Sequence, residues 1–450
     1  MAAYSWDDPH VSDHKTEGAL GLDGLLAWSQ ARYVAREAAK PLAPRAARLN
    51  EAHGSILASP LLTPYDEPFA DAASFDGYAV CAGGPWTLVD LARDVALAPH
   101  HAMRVRSRQI LPGHTDAVLP VARGVLEHAD DGTERVTALD ALTDLPEVNA
   151  RPDFGTGVIT RGSIRPAGSE LVSAPTQVTP AILAMAAAAG VDDMHVIPPP
   201  TVGTLVLGSS LLTQGPPRDG RVRDALGWTL PALLGALGAR AHPPVRAPDT
   251  RDLLLREIDD ADVDLLVTTG STSPGDNILR SALRDMGAHW LIDGVMATPG
   301  AQTLLVRLPD GRLLLGLPGH PDAAIAGAIT LAAPLIAGLR GELTHERLAV
   351  PGTVPARATL TTDAPPPDYE EDTVVCPVRL ESAGVDPQGS PVLAHPLTSG
   401  GPANLHGWAN ADAVALIAPG SSAAGDVVEL LDPLGRPAHT SGSSPRSTIE

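Results

Sequence analysis

Between residues 201 and 339 apolar runs of two different periods alternate along the chain, and this constrains the fold more than any other feature. "TVGTLVLG" (201–208) reads as a strand and 222–239, "VRDALGWTLPALLGALGA", as a helix with Pro231 an awkward member. "VDLLVTTG" (263–270) is a second strand and "NILRSALRDMGA" (277–288) a second helix. "GRLLLGLPGHP" (311–321) is a strand with a loop, and 322–339 is a third helix. Strands of period 2 separated by helices of period 3.6 cannot pair as hairpins; they form a mostly parallel sheet covered on both faces. In such sheets ligands sit beyond the carboxyl ends of the strands. Three loops meet that condition: 207–212 "LGSSLL", 268–276 "TTGSTSPGD" and 316–321 "GLPGHP".

The flanks read differently. Residues 16–41 carry Leu20, Leu25, Leu26, Trp28, Tyr33 and Val34 at a rough helical spacing, stopped by Pro41. Residues 49–80 are extended and turn-rich, and 85–150 hold short alternating runs split by Gly and Pro, a small all-β module. Residues 153–172 are again β and turn, and 180–190 form an Ala-rich helix ended by Gly190. Residues 345–432 return to short β runs, a barrel or sandwich, before a low-complexity tail. A chain of 450 residues with 44% apolar side chains suits two to four globular domains. The apolar stretch 323–339 contains Thr330 and Pro334 and follows a loop directly; it reads as a buried helix and not a membrane span.

A net charge of −21 argues against nucleic acid or an anionic membrane as partner, but leaves a small anionic ligand open. Lys15 and Lys40 are the only lysines, so thirty of the 32 basic residues are arginines. Any role that needs an ammonium beyond residue 40 falls to Arg, which is no equivalent. Cys81 and Cys376 lie far apart, which excludes a zinc ribbon or dithiol site and suits a reducing cytoplasm. The acidic N-terminus does not read as a secretory signal.

The loops carry the chemistry. In 270–277, Gly270 and Gly275 allow close approach of main chain to a ligand, Ser271, Thr272 and Ser273 offer hydroxyls, and the helix start at Asn277 offers N–H groups to an anion. Asp276 either caps that helix or binds a magnesium ion shared with a phosphate. Pro318 and Pro321 shape the last loop around Gly319 and His320; His320 either touches a ligand or is a plain turn residue. Asp224 begins a helix, where charge compensation and a ligand role are both open. The G-x-G-x-x-G fingerprint after a strand, the P-loop lysine, H-E-x-x-H and the G-x-S-x-G elbow are all missing.

These loops, in this order, resemble the molybdopterin molybdenumtransferase family, the MoeA and gephyrin E-domain proteins. "SFDGYAV" (74–80) resembles S-x-M-D-G-Y-A-V, and "RVRSRQILPGHTDAVLPV" (104–121) resembles R-I-x-T-G-A-x-L-P-x-G-A-D-A-V-V-x-x-E. "GSTSPGD" resembles G-G-x-S-x-G-D, and "LPGHP" resembles L-P-G-N-P. The likeness runs from about 18 to 432. It implies a multidomain α/β plus β protein. An extended β-rich domain with a leading helix takes 16–76 and 151–175, and a small inserted β domain takes 77–150. A three-layer molybdopterin-binding α/β domain with a parallel sheet takes 176–340 and a C-terminal β-barrel 341–434, between tails 1–15 and 435–450. It further implies a cytoplasmic dimer that inserts molybdate into adenylylated molybdopterin with magnesium, releasing AMP.

Carried over position by position, the resemblance assigns catalytic roles to Asp76, Asp224 and Asp276, with Asp224 and Asp276 on the metal. Gly270, Ser271, Thr272, Ser273, Gly275, Pro318, Gly319, His320, Ser107 and Arg108 would line the ligand. The departures cluster at the chemistry. The family's G-D-E is Gly208-Ser209-Ser210, and its K-P-G-K-P is 298–302 "TPGAQ", so both lysines are replaced, by Thr298 and Ala301. Its T-G-A is Ser107-Arg108-Gln109, the closing Glu is Val121, and the Asn of L-P-G-N-P is His320. Two readings follow: a working homodimeric transferase in which arginines such as Arg108 replace the lysines, or a catalytically degenerate relative. The second would serve as a molybdopterin- or partner-binding scaffold, possibly paired with an intact paralogue.

Overall fold

The computed structural model describes residues 25–90, 96–128, 132–140, 142–147, 149–248, 250–270, 277–342, 357–382, 392–397 and 405–432. The chain divides into two compact units. The smaller comprises 46–53 and 57–195; the larger comprises the chain up to 45, 54–56 and everything from 196 on.

The smaller unit is built on one mixed sheet. Its strands are β1 (Gly77–Val80), β2 (Trp86–Leu88), β3 (His101–Val105), β4 (Ala117–Pro120), β5 (Gly124–His128) and β6 (Glu134–Leu139). They lie in the order β5-β6-β2-β3-β1-β4. β1 is paired on both sides and wholly buried, as a run of Gly, Tyr, Ala and Val with no charge permits. Trp86 anchors one side of the sheet, fully enclosed, its indole N–H donating to the Ala82 carbonyl at 3.1 Å. Five of these strands fall within residues 86–139, and the D-G-Y-A-V strand pairs between β3 and β4.

The larger unit opens with Leu26–Ala27, a short strand parallel to Val295–Met296, and α1 (Trp28–Ala38). The sequence suggested one helix over 16–41. Residues 16–24 lie outside the described residues, and the helix begins only at Trp28 because Leu26 donates its N–H to Gly294 as a strand residue. The α/β sheet follows: β7 (Thr201–Leu207), β8 (Val245–Ala247), β9 (Leu265–Thr269), β10 (His289–Asp293), β11 (Leu304–Arg307) and β12 (Leu313–Leu317). The order is β8-β7-β9-β12-β11-β10; β11 alone of these six runs opposite to the others.

Helices cover both faces. α2 (Leu226–Ala236) joins α1 and the long helix 321–339 over Val202, Leu265, Val267, Leu313 and Leu315. α3 (Arg251–Asp260) and α4 (Ile278–Asp285) cover Leu205, Leu266 and Leu314 on the other face. This is the expected three-layer arrangement. The helix expected over 222–239 is shorter, since Val222–Arg223 pairs as a strand with Leu211–Leu212. Beyond it, β13 (Arg357–Leu360), β14 (Thr373–Ser382), β15 (Val392–Pro396), β16 (Ala413–Ile417) and β17 (Val427–Leu431) pair in the ring β14-β15-β13-β17-β16-β14. The ring closes on β14, so the barrel alternative holds over the open sandwich.

The stretch 323–339 is a core helix. It comprises α5 (Pro321–Gly327), a π-helical turn Ala328–Ala332 and α6 (Ala333–Leu339). Its length and composition would allow a membrane span, but 78% of it is buried inside this unit. At the π turn the wholly buried Arg32 donates to the Ile329 and Thr330 carbonyls at 2.7 and 3.2 Å. The Trp28 indole donates to Thr330 Oγ1 at 3.1 Å and its ring lies 4.9 Å from the guanidinium. A helix that widens by one residue per turn exposes carbonyls, and the guanidinium satisfies them. Burial lowers the Arg32 pKa to about 10, which still leaves it charged at neutral pH.

Candidate functional site

Three parallel strands end together at one edge of the α/β sheet. The N–H of Gly270, which follows β9, donates to the Leu317 carbonyl at the end of β12 at 3.0 Å. Gly208, which follows β7, donates to Ala247 at the end of β8 at 3.2 Å. Gly270 has φ +82°, a conformation that favours glycine. A Cβ on Gly319 would lie 3.5 Å from the Gly270 Cα. Two glycine turns are thus stacked at the carboxyl edge without side chains between them, which is how main chain approaches a ligand closely. Pro318 is buried beneath this edge, while Gly319 and His320 are exposed on it. Gly270, Pro318, Gly319 and His320 are therefore brought together. Ser271, Thr272, Ser273, Gly275 and Asp276 lie outside the described residues.

Asp224 is placed at the entry to α2 and is fully engaged. Its side chain is 1% exposed. Oδ1 accepts the Gly227 N–H at 2.8 Å, and Oδ2 accepts Nε of Arg246, at the end of β8, at 2.7 Å. Charge compensation, one of the two open readings of Asp224, is what the geometry displays. Gly227 is required here: a Cβ would stand 2.3 Å from Asp224 Oδ2 and 2.6 Å from an Arg246 terminal nitrogen.

The magnesium ion implied by the resemblance does not fit Asp224. Both oxygens already have donors, and among the described residues no three His, Cys, Asp or Glu side chains come together. The expectation of Asp224 as a metal ligand thus meets a carboxylate already neutralised by Arg246. Arg246 carries no motif; nothing in "PPVRAP" marks it, because its partner is 22 residues away in sequence.

Asp322, in the first turn of α5 beside His320, also escaped the sequence reading. Burial pushes its carboxyl above the usual range, against the Ala323 N–H that it accepts at 2.7 Å and the neighbouring His320.

The position of the family's first lysine shows what replaced it. Thr298 Oγ1 donates to Asp372 Oδ2 at 2.6 Å and accepts the Asp368 N–H at 3.0 Å. Asp372 is 1% exposed, and its Oδ1 is buried with no hydrogen-bond partner among the described residues. Burial raises its pKa against the Thr298 and Tyr369 bonds, and Asp368 and Glu371 add to the rise.

In the smaller unit Asp76, Ser107 and Arg108 are adjacent. Asp76 Oδ1 accepts the Ser107 N–H at 2.7 Å, and Ser107 Oγ donates to the Ser74 carbonyl at 3.2 Å. Arg108 has φ +63° and donates its N–H to Ala73 at 2.7 Å. Asp76 holds this turn in shape, and all three side chains are exposed.

Comparisons agree with this arrangement. Residues 26–190 match the MoeA N-terminal region (domain I and II), and residues 203–338 match a probable molybdopterin binding domain. The molybdopterin molybdenumtransferase of Bacillus subtilis (strain 168) is 26% identical over 332 residues, 70% of this chain and 73% of that protein. That of Nostoc sp. is 27% identical over 311 residues, 64% and 68% of the two chains. The crystal structure of a molybdopterin biosynthesis MoeA protein from Pyrococcus horikoshii superposes with a TM-score of 0.66 at 20% identity, covering 91% of this chain and 99% of that one. The two matched regions cover more than half of the sequence, in the family's order and on the family's fold, and the chain belongs to the MoeA family.

Proposed function

We propose that this chain acts in molybdenum cofactor biosynthesis, placing molybdate on adenylylated molybdopterin with release of AMP. The observation that carries this reading is the pair of glycine turns at Gly270 and Gly319, stacked at the carboxyl edge of adjacent parallel strands. That edge admits the phosphate-linked end of a pterin against bare main chain. His320 stands exposed on the same turn, beside Asp322, where it can meet a ligand phosphate. The loop 271–276 follows Gly270 directly and carries the hydroxyls and Asp276 that the family uses. Asp76, Ser107 and Arg108, in the smaller unit, are carried over from the family as further functional positions. The work belongs in the cytoplasm, in a homodimer or in a heterodimer with an intact relative.

No step is routed through a divalent metal at Asp224, whose carboxylate orients the start of α2 and Arg246 instead.

A second reading is favoured by specific losses: Ser209 and Ser210 replace two carboxylates, and Thr298 and Ala301 replace two lysines. Each charged hydrogen bond lost is worth about 1.5–3 kcal/mol, so turnover would fall far before binding does. The chain would then hold molybdopterin without transforming it.

The test is to incubate the purified chain with adenylylated molybdopterin, molybdate and magnesium, following AMP by chromatography and bound pterin by fluorescence. AMP release above the protein-free rate, lost in Gly319→Val, supports the transferase. Bound pterin without AMP selects the scaffold. Absence of both release and binding sinks the proposal.

A further inference from the structure

The loop between β7 and α2 is unusually cationic for so acidic a chain. Residues 213–224 hold Arg218, Arg221 and Arg223 against Asp219 and Asp224, and Arg246 joins them from β8. Of these, Arg246 is the one that pairs with Asp224. Arg221 donates to the Leu211 carbonyl at 2.8 Å, and one terminal nitrogen of Arg223 is buried with no hydrogen-bond partner among the described residues.

We infer that Arg246 is the resident cation of Asp224, excluding a divalent metal from that carboxylate and making this corner of the site metal-free. Three observations carry the inference. First, the pair is oriented and enclosed: Asp224 is 1% exposed and Arg246 Nε is 2.7 Å from Oδ2. Second, the other oxygen accepts the Gly227 N–H at 2.8 Å, so both carboxylate oxygens are engaged by donors of this chain. Third, α2 carries a glycine where any side chain would strike both partners, so the helix is cut to admit the guanidinium. A magnesium ion needs about six oxygen ligands in near-octahedral array and sheds water reluctantly. Asp224 offers neither the oxygens nor the access. Arg246 supplies the positive charge without that geometry. The inference goes beyond the proposed function and does not depend on turnover, because its readout is metal binding alone.

The probe is Mn2+, whose free-ion resonance is counted by electron paramagnetic resonance. Wild-type chain and Asp224→Asn are titrated in parallel, so that ions held elsewhere on an acidic protein cancel. Equal stoichiometry in the two is the expected result. One Mn2+ fewer in Asp224→Asn overturns the inference. Should that variant not fold, the wild-type chain labelled with 5-fluorotryptophan decides the matter. Trp228 is exposed one helical turn from Asp224, and Trp228→Phe assigns its fluorine resonance. At one equivalent of Mn2+ the Trp228 line keeps the width of the other exposed indoles. Selective broadening of that line would place the metal on Asp224 and end the inference.

Discussion

Arg32 and Asp372 are both charged side chains buried in the larger unit, one in the joint between α1 and the core helix and one beside Thr298. Arg32 has two main-chain carbonyls and an indole face around it, and its partners are themselves bonded: Thr330 Oγ1 also donates to Ala326 O at 2.8 Å. Asp372 has one oxygen bonded twice and the other buried with no partner among the described residues. The first charge completes a structure, because a buried group is tolerated when every lone pair and proton is used. The second has two donors, the Thr298 hydroxyl and the Tyr369 N–H, on one oxygen alone. Buried charge that is fully met holds a fold together; buried charge that is half met costs the fold stability.

The contrast can be broken in order of effect. Arg32→Met keeps the volume but strands the Ile329 and Thr330 carbonyls, and should cost about 3–4 kcal/mol in urea unfolding. A cost below about 1 kcal/mol would mean the π turn satisfies itself. Arg246→Gln leaves Asp224 buried without its countercharge; about 2–3 kcal/mol should be lost, discounted because the guanidinium is 31% exposed. Gly227→Ala improves helix propensity by about 1 kcal/mol yet should still destabilise by about 2, because its methyl enters the ion pair. A stabilised Gly227→Ala would show that the pair yields easily.

Asp372→Asn should act in the opposite direction. The folded carboxyl is held above the usual aspartate range, chiefly by burial, so the fold binds its proton more tightly than the unfolded chain does. The stability this contributes is complete below about pH 4 and is lost as pH rises through the raised folded value. At pH 7 the asparagine variant should therefore be more stable than the parent by about 1 kcal/mol, with the gap closing in acid. Equal pH profiles for the two proteins would remove Asp372 from the comparison. The smallest effect is at Cys376, whose thiol burial pushes up to about 12. Native protein at pH 8 should resist iodoacetamide there and react only once unfolded, as mass spectrometry of the peptide would report.

Much of this was legible in advance. The alternation over 201–339 announced the sheet, its two covered faces and the edge at which Gly270 and Gly319 meet. "PGHP" and "TTG" were readable as turns because proline and glycine act within a few residues. Asp224 was legible as a helix-entry acid, but its partner was not. Arg246 reaches it from the end of a neighbouring strand, and strand order is settled by crossovers that no local period records. The first helix was read too long for the same reason: Leu26 and Ala27 keep the helical spacing but are claimed by pairing with Val295 and Met296.

The sequence by itself determined what is written in short-range patterning: periods of 2 and 3.6, turn residues, the order of family loops, and the loss of lysines and carboxylates from them. Tertiary structure alone decided which charges became partners. It set Arg32 on a carbonyl pair almost three hundred residues away, Arg246 on Asp224, and Asp372 on a threonine. A period is a property of neighbours in the chain. The energy of a buried charge depends on what surrounds it, and that exists only once the layers have packed.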